Sequence, residues 1–544
     1  MFTQARKSLR KLPESNEAAG LDLGNTALPS EYTLAQLQHE FLEDDLGKDK
    51  PEQFENVLLL SQCLKHNERL IPAESDVSAA GKILSWLSTV ILPDATFVAN
   101  DELPEGDEDG AQMSQSLQAA ISMGEAGLDA ITNLIQLDTH VALKLENQVL
   151  LSLIAFTDKR DVWTSQKSLS KAQAILSRCS EQVRSKEFLV DFLLRETIQP
   201  LFSKTKPAAI TSTGRKAMPT SAPPRRFETA DMDPANKPWK FKDLWAVTVF
   251  NWIVDHTEET IVTESWPLFI PPLLTLIDDL KTSIRTRGLE TLSSFLPKFS
   301  TKLLKQTGLG QVFEEAITPT LTYLPNLTPL KESLQLLGPA YNALYALADA
   351  QYSPEDTGLK MKFLDRVMRE GVLQAYSHSS EHVQIVELLV KETNILIKKM
   401  GIHAVKYLKD ILSILSTILS NPFSSAQPTL SRQAIITLQT LILNCWPRMT
   451  EPMHRVEIIK VLVLCWNTLE AEQHEEGGTN EMEQGQRERE KMKEEIKIAG
   501  RLLVASVSCV EEENRKVDIR EELTPLMKVD AGVPEIFGLE ALPI

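Results

Sequence analysis

One string in the sequence has the residue types and spacing of a catalytic metal site. His378-Ser379-Ser380-Glu381-His382 matches H-x-x-E-H. On a continuous helix that pattern sets two imidazoles one turn apart with a glutamate beside them as general base, as in inverted zinc hydrolases. The competing reading is local. Ser379 or Ser380 is a natural helix N-cap, and apolar periodicity begins only at Val383. A helix starting there leaves His378 outside and turns the two rings apart. No third ligand can be singled out, and a five-residue string with three fixed positions is easily met by chance in 544 residues. The sequence therefore predicts a polar helix start. Zinc hydrolysis through His378, Glu381 and His382 is kept as the enzymatic alternative.

The remaining candidates resolve the same way. Asp278 and Asp279 are adjacent carboxylates that could hold a cation, but Asp279 also suits a tight inter-helix turn, where it accepts backbone N–H donors. The stretch 306–313, QTGLGQVF, has two glycines but no following Lys-Ser or Lys-Thr, so it reads as a helix stop and start, and no G-x-G-x-x-G occurs. Trp446 and Trp466 stand 20 residues apart, each after a cysteine. Such rings are core, or anchors for a partner at an exposed groove. No catalytic, cofactor-binding or metal-binding residue is assigned, and no cofactor is expected.

The elements that would position these residues are helices. Glycine is scarce at 22 residues and aromatics reach only 6%, which disfavours glycine-rich nucleotide folds and strand-rich sandwiches. In 402–420, Val405, Leu408, Ile411, Leu412, Leu415, Ile418 and Leu419 recur at steps of three and four and share one helical face. Gly401 before that helix and Asn421-Pro422 after it are boundary signals. The run 456–466, VEIIKVLVLCW, is apolar at nearly every position and reads as a helix buried on two sides. First helices of successive pairs begin near Pro267, Gly310, Met361, Ile402 and Glu451, at steps of 43, 51, 41 and 49 residues. HEAT and armadillo units repeat every ~40–47 residues, and such pairs must stack to bury their apolar faces. One unit is sharper: Pro271, then Asp279, Ile284 and Arg285 follow the HEAT order. There Pro kinks the first helix, Asp caps the turn and Arg reaches an acid of an adjacent turn. The predicted fold is all-α, a HEAT/armadillo-type helical-repeat solenoid.

Breaks in this pattern give the expected organisation. Residues 101–109 hold six acids in nine, and 197–227 carry no acid but six basic residues and five prolines. The stretch 471–486 is polar with a Gly477-Gly478 pair. The expected parts are a flexible tail 1–29, a helical region 30–199 with an acidic loop at 101–109, and a basic Pro-rich linker 200–238. HEAT-like repeats at 239–510 with a loop near 471–486 and a tail 511–544 follow. The linker lacks the interleaved aromatics of a single-strand binder. Together with a formal charge of −18, this argues against nucleic acid as a partner. Five scattered cysteines without a CxxC pair fit free thiols. With no apolar run of about 18 residues and no apolar signal core, neither a membrane span nor a secretory leader is expected. The expected location is the cytoplasm, with the nucleus as a second compartment.

The segments IPPLLTLIDDLKTSIRTRGLETLSSFL, KQTGLGQVFEEAI, YLPNLTPLKESLQLLGPAYNALYAL, GIHAVKYLKDILSIL and LNCWPRM, in that order, resemble the Tti-two family. Its members are the second Tel-interacting protein, a subunit of the TTT co-chaperone complex. The resemblance covers about 240–510. It is carried by Asp278, Asp279, Arg287 and Gly288, by Thr307-Gly308-Leu309, by Leu324-Pro325 with Thr328-Pro329, and by Trp446-Pro447-Arg448. It implies a non-enzymatic scaffold acting with the two larger helical-repeat subunits and the ninety-kilodalton heat-shock chaperone. Such scaffolds mature and stabilise phosphatidylinositol 3-kinase-related kinases (PIKKs), which include TOR and the DNA-damage checkpoint kinases. A karyopherin-like transport adaptor is the rival within the same structural class, and it would need many more repeats. Trp446, Pro447, Arg448 and Trp466 are the candidate partner-docking residues.

Overall fold

The computed structural model describes residues 2–9, 28–42, 50–73, 76–93, 115–137, 145–204, 209–211, 214–217, 235–421, 427–473, 481–509 and 517–540. The acidic run 101–109, most of the basic stretch and residues 474–480 of the polar stretch lie outside the described residues. Among those described, the elements are helices, and β-type pairing is limited to the isolated bridges Tyr32–Leu70 and Ile210–Lys216. The fold is all-α, of the helical-repeat class. The chain forms two compact units, Met1–Asp278 with Ser294–Val312, and Asp279–Ser293 with Phe313–Ile544.

In the first unit, α1 (Thr3–Leu9), α2 (Leu34–Leu42), α3 (Lys50–Lys65), α4 (Asp76–Val90), α5 (Gln115–Leu137), α6 (Asn147–Ile154), α7 (Gln166–Arg178) and α8 (Ala246–His256) stack in two layers. Helices α2, α4, α6 and α8 pack in order along one layer, and α3, α5 and α7 along the other. This is the stacking of antiparallel helix pairs that buries one face per helix, as repeat units must. The π-type helix Glu187–Ile198 and α9 (Glu259–Ile277) continue it. By length and composition α9 could cross a membrane. Instead Phe269, Ile270, Leu273, Leu274 and Ile277 are buried in the unit, and Pro267, Pro271 and Pro272 interrupt its backbone ladder.

Two expectations about this unit are corrected. Residues at the start of the expected N-terminal tail form α1: Phe2 and Ala5 are buried, and the Phe2 ring lies 5.2 Å from Phe41 and 6.0 Å from Tyr32. A short amphipathic turn with one large ring can be held by an aromatic socket, which charge counting along the sequence does not show. Nor does the basic stretch 200–238 separate two domains. Phe202 at its start stacks on Trp239 at its end, 5.0 Å between centroids and 9° between planes. Helix α8 beyond it packs back on α6, so both ends of the stretch belong to one unit.

The second unit contains α10 (Thr282–Phe295) up to Ser293, then α11 (Leu330–Gln351), α12 (Thr357–Arg366), α13 (Gln374–Ser379), α14 (Val383–Met400), α15 (Leu408–Leu419), α16 (Pro428–Asn444), α17 (Pro452–Gln473), α18 (Glu481–Ser508), α19 (Ile519–Met527) and α20 (Val533–Phe537). Helices α11, α14, α16 and α18 lie side by side in one layer, with α15, α17 and α20 behind them. The helix expected over 402–420 divides: Gly401, at φ 56°, opens a 3-10 segment, Gly401–Tyr407, before α15 begins. Its apolar face, Leu408, Ile411, Leu412, Leu415, Ile418 and Leu419, is buried. The run 456–466 is helical as α17, but Val456 is 52% exposed and Leu464 43%, so one flank of that helix is open. The expected C-terminal tail is corrected as well. Ile519, Leu523, Val533, Ile536 and Phe537 are buried, with α20 against α18 and α17.

Candidate functional site

The H-x-x-E-H string does not lie on one helix. His378 lies in the last turn of α13, which ends at Ser379, and its carbonyl accepts a 3.1 Å hydrogen bond from Asn326 Nδ2. His382 is the residue before α14, at φ −96° and ψ 96°, so it holds the N-cap position in place of Ser379 or Ser380. Ser379 is instead buried, and its Oγ has no partner among the described residues. The two imidazoles thus belong to different helices, and His382 Nε2 lies 3.5 Å from Glu381. Among the described residues no group of three or more His, Cys, Asp or Glu is gathered for a metal.

The family-pattern residues build turns and helix contacts. Asp278 follows the last residue of α9, and Asp279 Oδ1 accepts from the Lys281 amide at 2.8 Å. Arg285 is buried; its Nε donates to the Asp279 carbonyl at 3.1 Å, and its guanidinium lies 4.7 Å over the Tyr323 ring. A buried guanidinium held by a carbonyl and an aromatic face locks the turn without needing the acid expected from the sequence. Further along α10, the Arg287 carbonyl accepts from Thr291 Oγ1 and Gly288 is buried. Thr307 closes its helix through Oγ1 to Leu303 O at 2.7 Å, Gly308 follows at φ 71° and Leu309 is buried. The Thr307 carbonyl also receives the Lys216 amide at 3.1 Å, and a Cβ on Gly308 would come within 3.2 Å of Lys216 Cβ. In the turn with Pro325, the Leu324 carbonyl accepts from the amides of Leu327 and Thr328, both at 3.0 Å. Pro329 then precedes α11.

The proposed docking residues separate into two kinds. Trp446-Pro447-Arg448 forms a 3-10 turn between buried Cys445 and Met449. Trp446 is 41% exposed, so of the two uses open to such a ring the core is set aside here: Cys445 and Met449 on either side of the turn are buried, and the indole is not. Arg448 pairs with Glu451 one turn on. Trp466 is the opposite case, 3% exposed beneath the cations of Lys493 and Lys497, 5.4 and 5.7 Å from its ring. Gly532 lies so close that a Cβ there would come within 2.5 Å of Trp466 Nε1. Trp466 is core, not a docking residue. Trp446→Ala is therefore expected to change unfolding stability by less than about 1 kcal/mol, measured by thermal melts. A loss of several times that size would show that the ring is packed.

Sequence reasoning missed a buried carboxylate in the same layer. Glu392 of α14 accepts a 2.9 Å hydrogen bond from Tyr345 of α11. Burial raises its pKa, only partly opposed by the Tyr345 hydroxyl and Lys391. A carboxyl raised above its unfolded value (~4.3) destabilises the fold once pH exceeds that value, and the penalty vanishes below it. Glu392→Gln should thus melt higher than the native chain near neutral pH, with the gap closing toward about pH 4. Parallel melting curves across that range would show that Glu392 carries no such penalty. The one legible signal was an acid at a core position of the α14 periodicity.

These placements define a helical-repeat protein whose marked residues form turns, helix ends and core contacts, and whose large exposed side chains lie on helix faces and turns. The chain belongs to the Tti2 family, whose model matches residues 149–426. The match begins upstream of the 240–510 resemblance and ends before Trp446-Pro447-Arg448, so that motif lies outside the matched stretch. Solved structures similar to this chain include importin beta in a polyethylene glycol condition, at 13% identity and TM-score 0.37, covering 91% of this chain and 63% of that one. Kap121p bound to Ste12p is similar at 11% identity and TM-score 0.27, covering 93% of this chain and 57% of that one. This chain thus spans less than two thirds of either protein.

Proposed function

We propose that this chain is a non-enzymatic scaffold subunit of a TTT-type co-chaperone complex. In this reading it joins two larger helical-repeat subunits and, with the ninety-kilodalton heat-shock chaperone, supports maturation and stability of PIKKs. TOR and the DNA-damage checkpoint kinases are the expected clients, and the cytoplasm is the main compartment, with the nucleus as a second. The observation that carries it is the Tti2 family match over residues 149–426. The stacked helix pairs of each unit, which leave one helix face as surface for a partner, support it. Affinity purification of the tagged full chain followed by mass spectrometry tests it. Large helical-repeat partners together with PIKKs are the expected co-purifying proteins, and their amounts should fall when the chain is depleted. Recovery of importins with diverse cargo, without those partners, would replace it with the adaptor reading.

A further inference from the structure

The second unit presents a face on which aliphatic side chains lie beside two exposed lysines, Lys391 and Lys398. Helices α14 and α16 are tied by Asn394 Nδ2 to Thr440 Oγ1 at 3.1 Å and by Thr437 Oγ1 to the Val390 carbonyl at 3.3 Å. Helices α16 and α18 are tied by Gln439 Nε2 to Glu495 Oε2 at 2.8 Å and by Arg432 to Glu495 at 3.6 Å. Residues at helical spacing between these seams point away from the buried layer. On α14 the outward stripe carries Glu387, Lys391, Ile395 and Lys398; on α16, Ile436 and Leu443; on α18, Ile498. Glu387 accepts from Thr429 Oγ1 of α16 at 3.4 Å, which leaves the two lysines as the stripe's cations toward its C-terminal end. Leu443 is 53% exposed, Ile498 37%, and both lysines are exposed.

The charge of this face selects its occupant. Neither Lys391 nor Lys398 forms an ion pair with another described residue. Glu495, the carboxylate at the α16–α18 seam, is taken up by Arg432 and Gln439, and exposed Glu494 lies 3.7 Å from Lys497. Aliphatic rows edged by two cations thus stand on a chain of net charge −18. We infer that this face of α14, α16 and α18 binds an acidic, amphipathic helical segment of a partner protein. Aliphatic residues of the segment, one turn apart, would lie on Ile395, Ile436, Leu443 and Ile498, as amphipathic helices seat in apolar grooves. Lys391 and Lys398 are seven residues apart, about 10 Å along their helix, so the segment presents carboxylates about two turns apart. A basic or neutral segment gains nothing from the lysines.

The probe is a fluorescein-labelled peptide of about 18 residues, long enough to form a helix on binding, with leucine on one face and glutamate on its flanks. Its counterpart carries lysine for glutamate. Anisotropy titration with the full chain should show saturable binding of the acidic peptide and none of the basic one. Binding should weaken at least tenfold in Lys391→Glu/Lys398→Glu and on raising salt, and likewise in Leu443→Asp. Because both lysines are exposed, the paired variant should melt like the native chain; if it does not, Lys391→Gln/Lys398→Gln replaces it. Equal affinity in the lysine variant, preference for the basic peptide, or no saturable binding would overturn the assignment. Self-association abolished by the same pair would give the face to a second copy. Binding seen only after deletion of 101–109 would give it to the chain's own acidic run. Either result would remove the partner segment as occupant. The peptide is unrelated to any co-chaperone subunit, so a negative result here leaves the co-purification test standing, and the reverse holds too.

Discussion

Trp239→Ala is expected to lower the stability of the first unit by ~3–5 kcal/mol, with a fall in its melting temperature of roughly 10 °C. Trp239 is fully buried and sits on a four-residue helix, Pro238–Phe241, that has few backbone bonds of its own. What holds it is an aromatic chain. Trp239 stacks on Phe202, Phe202 lies 6.3 Å from Phe250, Phe250 6.5 Å from Phe269, and Phe269 5.5 Å from Phe295. Removing the indole leaves a cavity at the point where the two ends of the basic stretch meet, and that contact depends on the stacking. With domains stable by only ~5–15 kcal/mol, the cellular amount of the protein should fall several-fold. Trp239→Phe separates two contributions. It keeps the stacking surface and removes an indole Nε1 that has no acceptor among the described residues, so it should cost well under half as much. If Trp239→Ala melts like the native chain, the two ends are not held together by this stack, and a division into domains at the basic stretch becomes tenable again.

The contrast between the tryptophans shows what was legible in the sequence. Helical class was legible, because a step of three and four across 402–420 has one physical meaning and a stacked pair follows from it. The turn at Asp279 was legible for the same reason: a short polar side chain between two apolar runs has few other uses. The fates of Trp446, Trp466 and Trp239 were not. Each indole is equally apolar in sequence, yet one is exposed on a turn, one lies under two lysines and one stacks on Phe202. Those outcomes depend on which residues distant in sequence arrive beside the ring. The same limit explains the ends of the chain, where Phe2 and Phe537 look like isolated apolar residues in polar surroundings but meet sockets built by α2 and α18. It also explains the H-x-x-E-H string, whose spacing is real but is broken by a helix that starts at Val383, with His382 and not Ser379 or Ser380 at its N-cap.

Arg455→Ala is expected to be the most damaging single change in the second unit's C-terminal part. Arg455 is 2% exposed, and its whole guanidinium is used. Nε and Nη2 hold the two Glu522 oxygens at 2.6 and 2.7 Å, while Nη1 donates to the Thr450 carbonyl at 2.5 Å and to the Met449 carbonyl at 3.3 Å. One side chain thus joins the turn after Trp446-Pro447-Arg448 to α19. Breaking a buried pair by removing one partner costs ~3–5 kcal/mol. The lower end, roughly 3 kcal/mol, applies because Glu522 retains 34% exposure and can be rehydrated. Arg455→Lys keeps the charge but cannot reproduce the fork, so it should recover only a minor part of the loss. The pH dependence tests the mechanism. Hydrogen bonding from Arg455 holds the Glu522 carboxyl below the usual carboxylate range. A carboxyl lowered in the folded state stabilises above its unfolded pKa, ~4.3, and that contribution is lost as pH falls through the lower folded value. Denaturant midpoints should therefore separate native chain and Arg455→Ala widely near neutral pH and much less at about pH 3. A separation that stays constant across that range would mean that the arginine acts through the Met449 and Thr450 carbonyls alone, and that its pairing with Glu522 adds no stability.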